Sequence, residues 1–317
     1  MQSTAVILES PQHLMLGELE LIAPQDADVV VDVEWSGIST GTERLLYTGA
    51  MPPFPGMGYP LVPGYESVGR IAAAGPRSGH QVGERVFVPG ARCFGEVRGL
   101  FGATASRLVV AGERVIPVGE QLGEQAVLLA LAATAYHAVA GVSSAEGVNP
   151  PELIVGHGVL GRLLARLTVL GDYPAPVVWE TQPGRMHGAE GYTVMHPDDD
   201  PRRDYRTIYD VSGDSAILDK LIGRLAPGGE VVLAGFYSQP LHFNFAPAFM
   251  REARIRVAAE WKRGDMLAVQ QIAASGLLPL GELITHRAQA SQAERAYRTA
   301  FGDAECLKMV LHWTGHA

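Results

Sequence analysis

The chain has 317 residues, 47% of them hydrophobic, and a formal net charge of −9. That length holds two domains of ordinary size, and an acidic balance of mixed charges argues against a nucleic-acid surface, which needs clustered Lys and Arg. Two cysteines, Cys93 and Cys306, cannot form a disulfide framework and fit a reducing cytoplasm.

Met1 to Leu8 lacks a basic n-region and reads as a first β-strand rather than a signal peptide. No apolar run reaches the ~20 residues of a membrane helix. Strands follow at Val29 to Trp35, Gly69 to Gly75 and Glu84 to Pro89, among dense Gly and Pro, as in a small β-barrel. Near residue 123 the texture changes, and Gly123 to Ala140, rich in Ala and Leu, predicts a helix. Strand–helix units then alternate. Glu152 to Val155 is a strand, Ala175 to Glu180 another, and Arg206 to Val211 a third. The run Asp198 to Asp204 reads as a solvated loop, Asp214 to Leu225 as a helix, and Pro227-Gly228-Gly229 as a sharp turn into the strand Glu230 to Gly235. That order implies a parallel sheet with crossover helices. Past Gly264 come a helix from Met266 to Ser275, a strand at Leu283 to Thr285, a helix from Ala290 to Phe301 and a last strand, Lys308 to Leu311.

Between the first and second of those parallel strands lies the most specific motif. Gly156, Gly158 and Gly161 fill a G-x-G-x-x-G frame, with His157, Val159 and Leu160 between them. The first glycine permits a tight turn, the second lets a pyrophosphate approach the backbone, and the third lets helix and strand pack closely. The helix N-terminus adds free N–H groups and a positive dipole end. Glu180 ends the next strand about 20 residues on, where a carboxylate binds ribose hydroxyls, favours NAD and repels a 2′-phosphate. Arg185 stands close enough to modify that preference. Ser212 and Gly235 end later strands, where ligands of such sheets bind. The backbone of His157 is expected to face phosphate, with its ring outside.

Further segments carry a family resemblance. Val33 to Ser39 looks like a strand leading to an active-site turn, Pro63 to Gly69 like a Gly-His-Glu segment, Gly83 to Val86 like a Gly-Asp-Arg-Val turn, and Thr134-Ala135-Tyr136-His137 like the helix behind a nicotinamide. Together they resemble the medium-chain dehydrogenase/reductase superfamily over nearly the whole chain. The resemblance implies an α/β fold: a GroES-like β-rich catalytic domain, residues 1–122 and 264–317, plus a Rossmann doubly wound parallel-sheet domain, residues 123–263. Residues 37–66 more closely resemble the BchC-type bacteriochlorophyllide dehydrogenases. That family implies oxidation of the 3-(1-hydroxyethyl) group of bacteriochlorophyllide a to 3-acetyl, with NAD⁺ as hydride acceptor. The alternatives are a zinc-independent quinone or enoyl reductase, whose common NADPH preference Glu180 opposes, and a pigment carrier or redox sensor without turnover.

Where zinc enzymes of the superfamily carry metal ligands, this chain offers Ser39, Tyr65, Glu66 and Ala130. One carboxylate cannot replace three or four N/S ligands, so the expectation is no metal, with a rebuilt site of Glu43, Glu66 and His137 as the alternative. Hydride loss from a carbinol then needs an acceptor for the hydroxyl proton. Glu43, Glu66 and His137 are candidate acceptors, and Tyr47 and Tyr65 candidate relays. The leading assignment puts Thr40 and Glu43 at the substrate hydroxyl and His137 beneath the nicotinamide. Each has a bland counterpart: Glu66 tying down loops, His137 packed in its helix, Tyr65 filling the space of a lost ligand. By resemblance, Lys308 reaches the pyrophosphate, or else is an ordinary edge-strand lysine.

For the substrate, Met51 to Pro60 holds four prolines, two Met and two aromatics. Pro and Gly fix the loop path, and Phe54, Met57 and Tyr59 suit a flat tetrapyrrole. Arg44 is a candidate partner for its propionate, as are Arg92 and Arg98, and Tyr47 lies near. The resemblance leaves open a homodimer, and a cytoplasmic protein that meets the photosynthetic membrane at its periphery.

Overall fold

The N-terminal residues form a hairpin. β1 (Gln2–Ser10) pairs antiparallel with β2 (His13–Glu20), and β4 (Leu61–Val62) and β7 (Arg98–Gly99) extend that sheet to four strands. β3 (Asp28–Ile38) organises a second sheet. It pairs antiparallel with β5 (Ser67–Ala74), β8 (Arg107–Ala111) and β17 (Lys308–His312). β6 (Arg85–Val88), β9 (Ile116–Pro117) and β16 (Ile284–Gln289) complete it. The apolar faces of these strands and of α7 (Ala293–Gly302) share one core that includes Val31, Ile38, Leu46, Tyr297 and Leu311.

This computed structural model describes residues 1–53, 55–140 and 149–313. The chain packs as two units, Met1–Ala130 with Pro279–Ala317, and Leu131–Leu278. Those bounds lie later in the chain than the changes of texture at 123 and 264.

The second unit holds a six-stranded parallel sheet made of β10 (Leu153–Val155), β11 (Val177–Trp179), β12 (Thr193–Met195), β13 (Tyr205–Asp210), β14 (Leu225–Leu233) and β15 (Arg254–Val257). Its order, β12-β11-β10-β13-β14-β15, is the doubly wound 3-2-1-4-5-6 arrangement. The strand order therefore reverses between β10 and β13, and α3 (Val159–Leu170) begins at the C-terminal end of β10. Ligands of open α/β sheets bind at such a switch point.

Some expectations need correction. The helix expected from Gly123 starts later. Gly123 takes φ 50°, ψ −133° inside a 3-10 stretch, and α2 runs Leu129–Ala140. The stretch Glu120–Ala140 is long and apolar enough to cross a membrane by length and composition, but 56% of its apolar window is buried in the fold. The helix expected over 214–225 shrinks to α4 (Leu218–Ile222). The run 198–204 is not merely solvated. Asp200 is buried, accepting from Trp179 Nε1 at 2.7 Å, Tyr205 Oη at 2.8 Å and the Arg202 amide at 2.8 Å. A buried carboxylate needs such donors, and the two aromatics supply them.

Candidate active site

In the first unit, three strand ends converge. β3 ends at Ile38 and turns through Ser39 into α1 (Thr42–Thr48). The Gly37 amide donates to Glu66 O at 2.8 Å, just before β5, and Ile38 lies opposite Met309 of β17. This register places Glu66, Lys308 and the Ser39 turn together. A Cβ on Gly37 would stand 2.3 Å from Glu66 Oε2, so any larger residue would have to displace that carboxylate.

Lys308 Nζ donates to Glu66 Oε2 at 2.6 Å and to Ile38 O at 3.2 Å. Lys308 is 1% exposed and Glu66 0%. The structure thus corrects both readings of Lys308. β17 is an interior strand between β16 and β3, and the ammonium is committed to Glu66 rather than held out for a pyrophosphate. Burial pushes the Glu66 carboxyl up, and Lys308 opposes that shift. Glu66 Oε1 meets no hydrogen-bond partner among the described residues.

Glu43 is also 0% exposed. Its Oε1 accepts from the Ser39 amide at 3.0 Å and its Oε2 from Tyr297 Oη at 2.6 Å. Burial pushes its carboxyl up to about 7. The Tyr297 and Ser39 hydrogen bonds and Lys308 work against that rise, and Glu66 adds to it. Glu43 therefore lies beneath the turn with both oxygens engaged, not at a surface where a substrate hydroxyl would arrive. Thr40 is half-buried on the turn itself.

Two hydroxyls meet beside this turn, one of them on buried Ser39. Ser39 Oγ and Tyr65 Oη are 2.5 Å apart, and Tyr65 is half-buried, set edge-on against Phe101 with centroids 5.3 Å apart. Burial and then Glu66 raise the Tyr65 phenol far above its ordinary value, so it keeps its proton at neutral pH. The positions matched to zinc ligands thus present a hydroxyl pair and an ion-paired carboxylate, which do not fit a zinc site. Among the described residues, no group of three or more His, Cys, Asp or Glu is placed to hold a metal ion.

Tyr47, Met57 and Tyr59 are half-buried and packed on the core of this unit. Tyr47 packs against Phe301 with rings tilted by 49° and centroids 5.3 Å apart, and Tyr59 Oη donates to Leu46 O. Arg44 is exposed on α1. Phe54 lies outside the described residues.

In the second unit the glycine turn has the geometry its spacing predicts. Gly156 takes φ +104°. A Cβ on Gly161 would lie 1.8 Å from Gly156 O, and one on Gly158 would point into open space. The first rung of α3 is Arg162 N to Gly158 O at 3.0 Å, so the amides of Val159, Leu160 and Gly161 have no acceptor within the helix. Glu180 Oε1 accepts from the amides of Thr181 and Gln182, both at 2.8 Å, and Oε2 accepts from the His157 amide at 3.0 Å. These occupy three of the roughly four acceptor positions of a carboxylate.

The His157 ring is not outside. It is buried, with Nδ1 2.6 Å from Arg185 O and Nε2 2.8 Å from Tyr192 Oη. Burial holds its pKa down at about 4, so the ring is neutral. Its amide is taken by Glu180, so the open donors of the turn are the amides of Val159, Leu160 and Gly161. Arg162, which the sequence reading missed, is buried and donates to His157 O at 3.1 Å and Arg185 O at 3.0 Å. His157 and Arg162 thereby fasten the segment after β11 to the glycine turn.

Ser212 and Gly235 lie at the ends of β13 and β14, and both amides bond Asp210, Ser212 to Oδ1 at 2.9 Å and Gly235 to its carbonyl at 3.0 Å. His137 Nδ1 pairs with Asp265 Oδ2 at 2.8 Å. Asp265 also caps α6 (Arg263–Ala274), the helix that follows α5 (Phe245–Met250), through the Lys262 amide at 2.7 Å.

The chain has relatives among known proteins. Residues 25–120 match the model of the alcohol dehydrogenase GroES-like domain. The chain is 55% identical, over 100% of both sequences, to 2-desacetyl-2-hydroxyethyl bacteriochlorophyllide A dehydrogenase of Cereibacter sphaeroides, and 54% identical, over 99% of both, to the enzyme of that name in Rhodobacter capsulatus. Among solved structures, a short-chain alcohol dehydrogenase of Escherichia coli complexed with NADH superposes with a TM-score of 0.81 at 22% identity, over 98% of this chain and 99% of that one.

Proposed function

Because the chain belongs to the 2-desacetyl-2-hydroxyethyl bacteriochlorophyllide A dehydrogenase family, within the medium-chain dehydrogenase/reductase superfamily, we propose that it oxidises the 3-(1-hydroxyethyl) carbinol of bacteriochlorophyllide a to the 3-acetyl ketone with NAD⁺. The observation that carries this is full-length identity of 55% and 54% to two enzymes of that name. The glycine turn fits a dinucleotide, because the open space at Gly158 and the free first-turn amides of α3 suit a pyrophosphate. Bound there, NAD⁺ supplies the hydride acceptor, and oxidation of the carbinol also releases one proton. Ser39 and Tyr65 hold the carbinol oxygen. Their hydroxyls lie 2.5 Å apart, and the protonated Tyr65 passes the released proton outward through the pair rather than acting as a tyrosinate base. Met57 and Tyr59 offer a half-buried apolar face to the macrocycle, and Arg44 an exposed guanidinium for its propionate.

The remaining acceptor position of Glu180 supports NAD over NADP. A carboxylate there receives a ribose hydroxyl and repels a 2′-phosphate. The test mixes purified protein, NAD⁺ and the hydroxyethyl pigment. Conjugation of the new acetyl group shifts the long-wavelength band to the red as NADH forms, and an unchanged spectrum overturns the assignment. Glu180→Ala is expected to narrow the preference for NAD⁺ over NADP⁺ in kcat/KM by about tenfold, as for loss of one charge-assisted hydrogen bond. Equal use of both cofactors by the unaltered enzyme would rule out an NAD-selective role for Glu180.

A further inference from the structure

Glu43 joins two elements that are far apart in the chain. It sits on α1, immediately after the Ser39 turn, and it reaches Tyr297 on the C-terminal helix α7 across 254 residues of sequence. One oxygen holds the Ser39 amide, the other the Tyr297 hydroxyl, and neither is exposed. Tyr297 is itself buried and set edge-on against Phe301 at 5.6 Å. Fixing the Ser39 amide fixes that residue's Cα and the direction of its Cα–Cβ bond, and the hydrogen bond to Tyr65 Oη at 2.5 Å then selects where Oγ stands.

We propose that Glu43 is a positioning residue, a strut from Tyr297 to the Ser39 amide that sets where the Ser39–Tyr65 hydroxyl pair stands. This rests on the reading that the pair meets the carbinol oxygen. The geometry works in either protonation state. As a carboxylate, Glu43 accepts from both partners. As a neutral acid, it still accepts from the amide and donates to Tyr297 Oη. That tolerance is needed, because Glu43 faces burial and the Glu66 charge, which favour its neutral form, and Lys308, Tyr297 and the Ser39 amide, which favour its charge. A glutamine in its place keeps the same two contacts, one accepted and one donated.

The full-length enzyme is assayed for pigment oxidation with NAD⁺. Glu43→Ala is expected to lower kcat by about 100-fold, the scale of a 1 Å misplacement, with KM for pigment and for NAD⁺ within about threefold. Glu43→Gln should recover most of that loss. Tyr297→Phe, which deletes one oxygen and keeps the ring packing, should lower kcat by about tenfold at a temperature where its thermal melt matches the parent. If Glu43→Gln is as inactive as Glu43→Ala, and the pH limb of kcat near 7 goes with it, Glu43 is a base and the inference falls. It also falls if Glu43→Ala turns over normally. Ser39→Ala and Tyr65→Phe separate the two levels. If they slow pigment oxidation and Glu43→Ala does not, the strut alone is wrong. If they leave it unchanged, the hydroxyl-pair reading is wrong and the strut goes with it.

Discussion

The first unit concentrates its polar chemistry where water cannot reach. Glu43, Glu66 and Lys308 are sealed in, and their partners come from the far end of the chain, Tyr297 and Lys308 standing 254 and 242 residues from the carboxylates they bond. The second unit builds its site from neighbours in sequence. The glycine turn spans six residues, and Glu180 reaches the His157 amide across only 23. In one region, long-range side-chain pairing fixes the backbone. In the other, the backbone is fixed by what glycine alone permits, and side chains are fastened to it. The two should fail differently when altered, the first by losing stability and the second by losing a ligand.

The largest effect is expected at Lys308. Lys308→Met leaves Glu66 buried without its counter-charge, and removing one partner of a buried pair costs about 3–5 kcal/mol. Urea unfolding should show that loss. The double change Glu66→Gln with Lys308→Met should regain most of it, since an apolar or neutral replacement of both partners removes the uncompensated charge. A Lys308→Met protein as stable as its parent would remove the contrast between the two units.

The glycine turn should respond in binding. A methyl on Gly161 would stand 1.8 Å from Gly156 O, a backbone atom that cannot swing aside. α3 must then lift from β10, at the cost of about 1–3 kcal/mol typical of overpacking, and NAD⁺ affinity should fall by about 10- to 100-fold. Gly158→Ala sharpens the point. Its methyl enters open space, so stability should stay within about 0.5 kcal/mol, while the space a pyrophosphate would use is filled. Titration by NADH fluorescence reads both. Unchanged affinity in Gly158→Ala would mean that this turn does not receive the phosphates.

What could be read from the sequence follows the same division. The G-x-G-x-x-G frame, the strand after it and Glu180 were legible because they express local backbone geometry. Lys308 misled because one lysine at the head of an apolar strand looks the same at an edge or in an interior, and only the pairing of β17 with both β16 and β3 decides. A signal was present in retrospect, since Met309, Val310 and Leu311 run apolar without alternation, the mark of a strand buried on both faces. Glu43 to Tyr297 left no such trace, as each residue alone fits a surface helix. The His157 ring and Asp200 were misplaced for another reason. Their partners, Tyr192 Oη, Arg185 O, Trp179 Nε1 and Tyr205 Oη, belong to segments whose folding back no local pattern encodes. Gly123 shows the limit of composition, because an Ala/Leu-rich run read as one helix is interrupted by a single residue at φ 50°.

The last effect is spread over pH, smallest over any single pH unit, and the two units of the fold should lean in opposite directions. Burial favours the neutral form of both Glu43 and His157. The Glu43 carboxyl rises from 4.5 to about 7. The folded state holds its proton where the unfolded chain has lost it, so the stabilisation is complete below about 4.5 and is lost as pH climbs through about 7. The His157 pKa falls from 6.5 to about 4. The unfolded chain binds a proton that the fold refuses, so its contribution is complete above about 6.5 and is lost as pH drops through about 4. Each slope is bounded by about 1.4 kcal/mol per pH unit. Hydrogen exchange followed by peptide resolves them, with residues 37–48 expected to open more readily as pH rises from 5 to 7 after correction for intrinsic exchange, and residues 153–192 as it falls from 6.5 to 4.5. Glu43→Gln should flatten only the first slope and His157→Asn only the second. Slopes of the same sign in both segments would mean that burial does not govern these two groups, and that the ion pairs around them do.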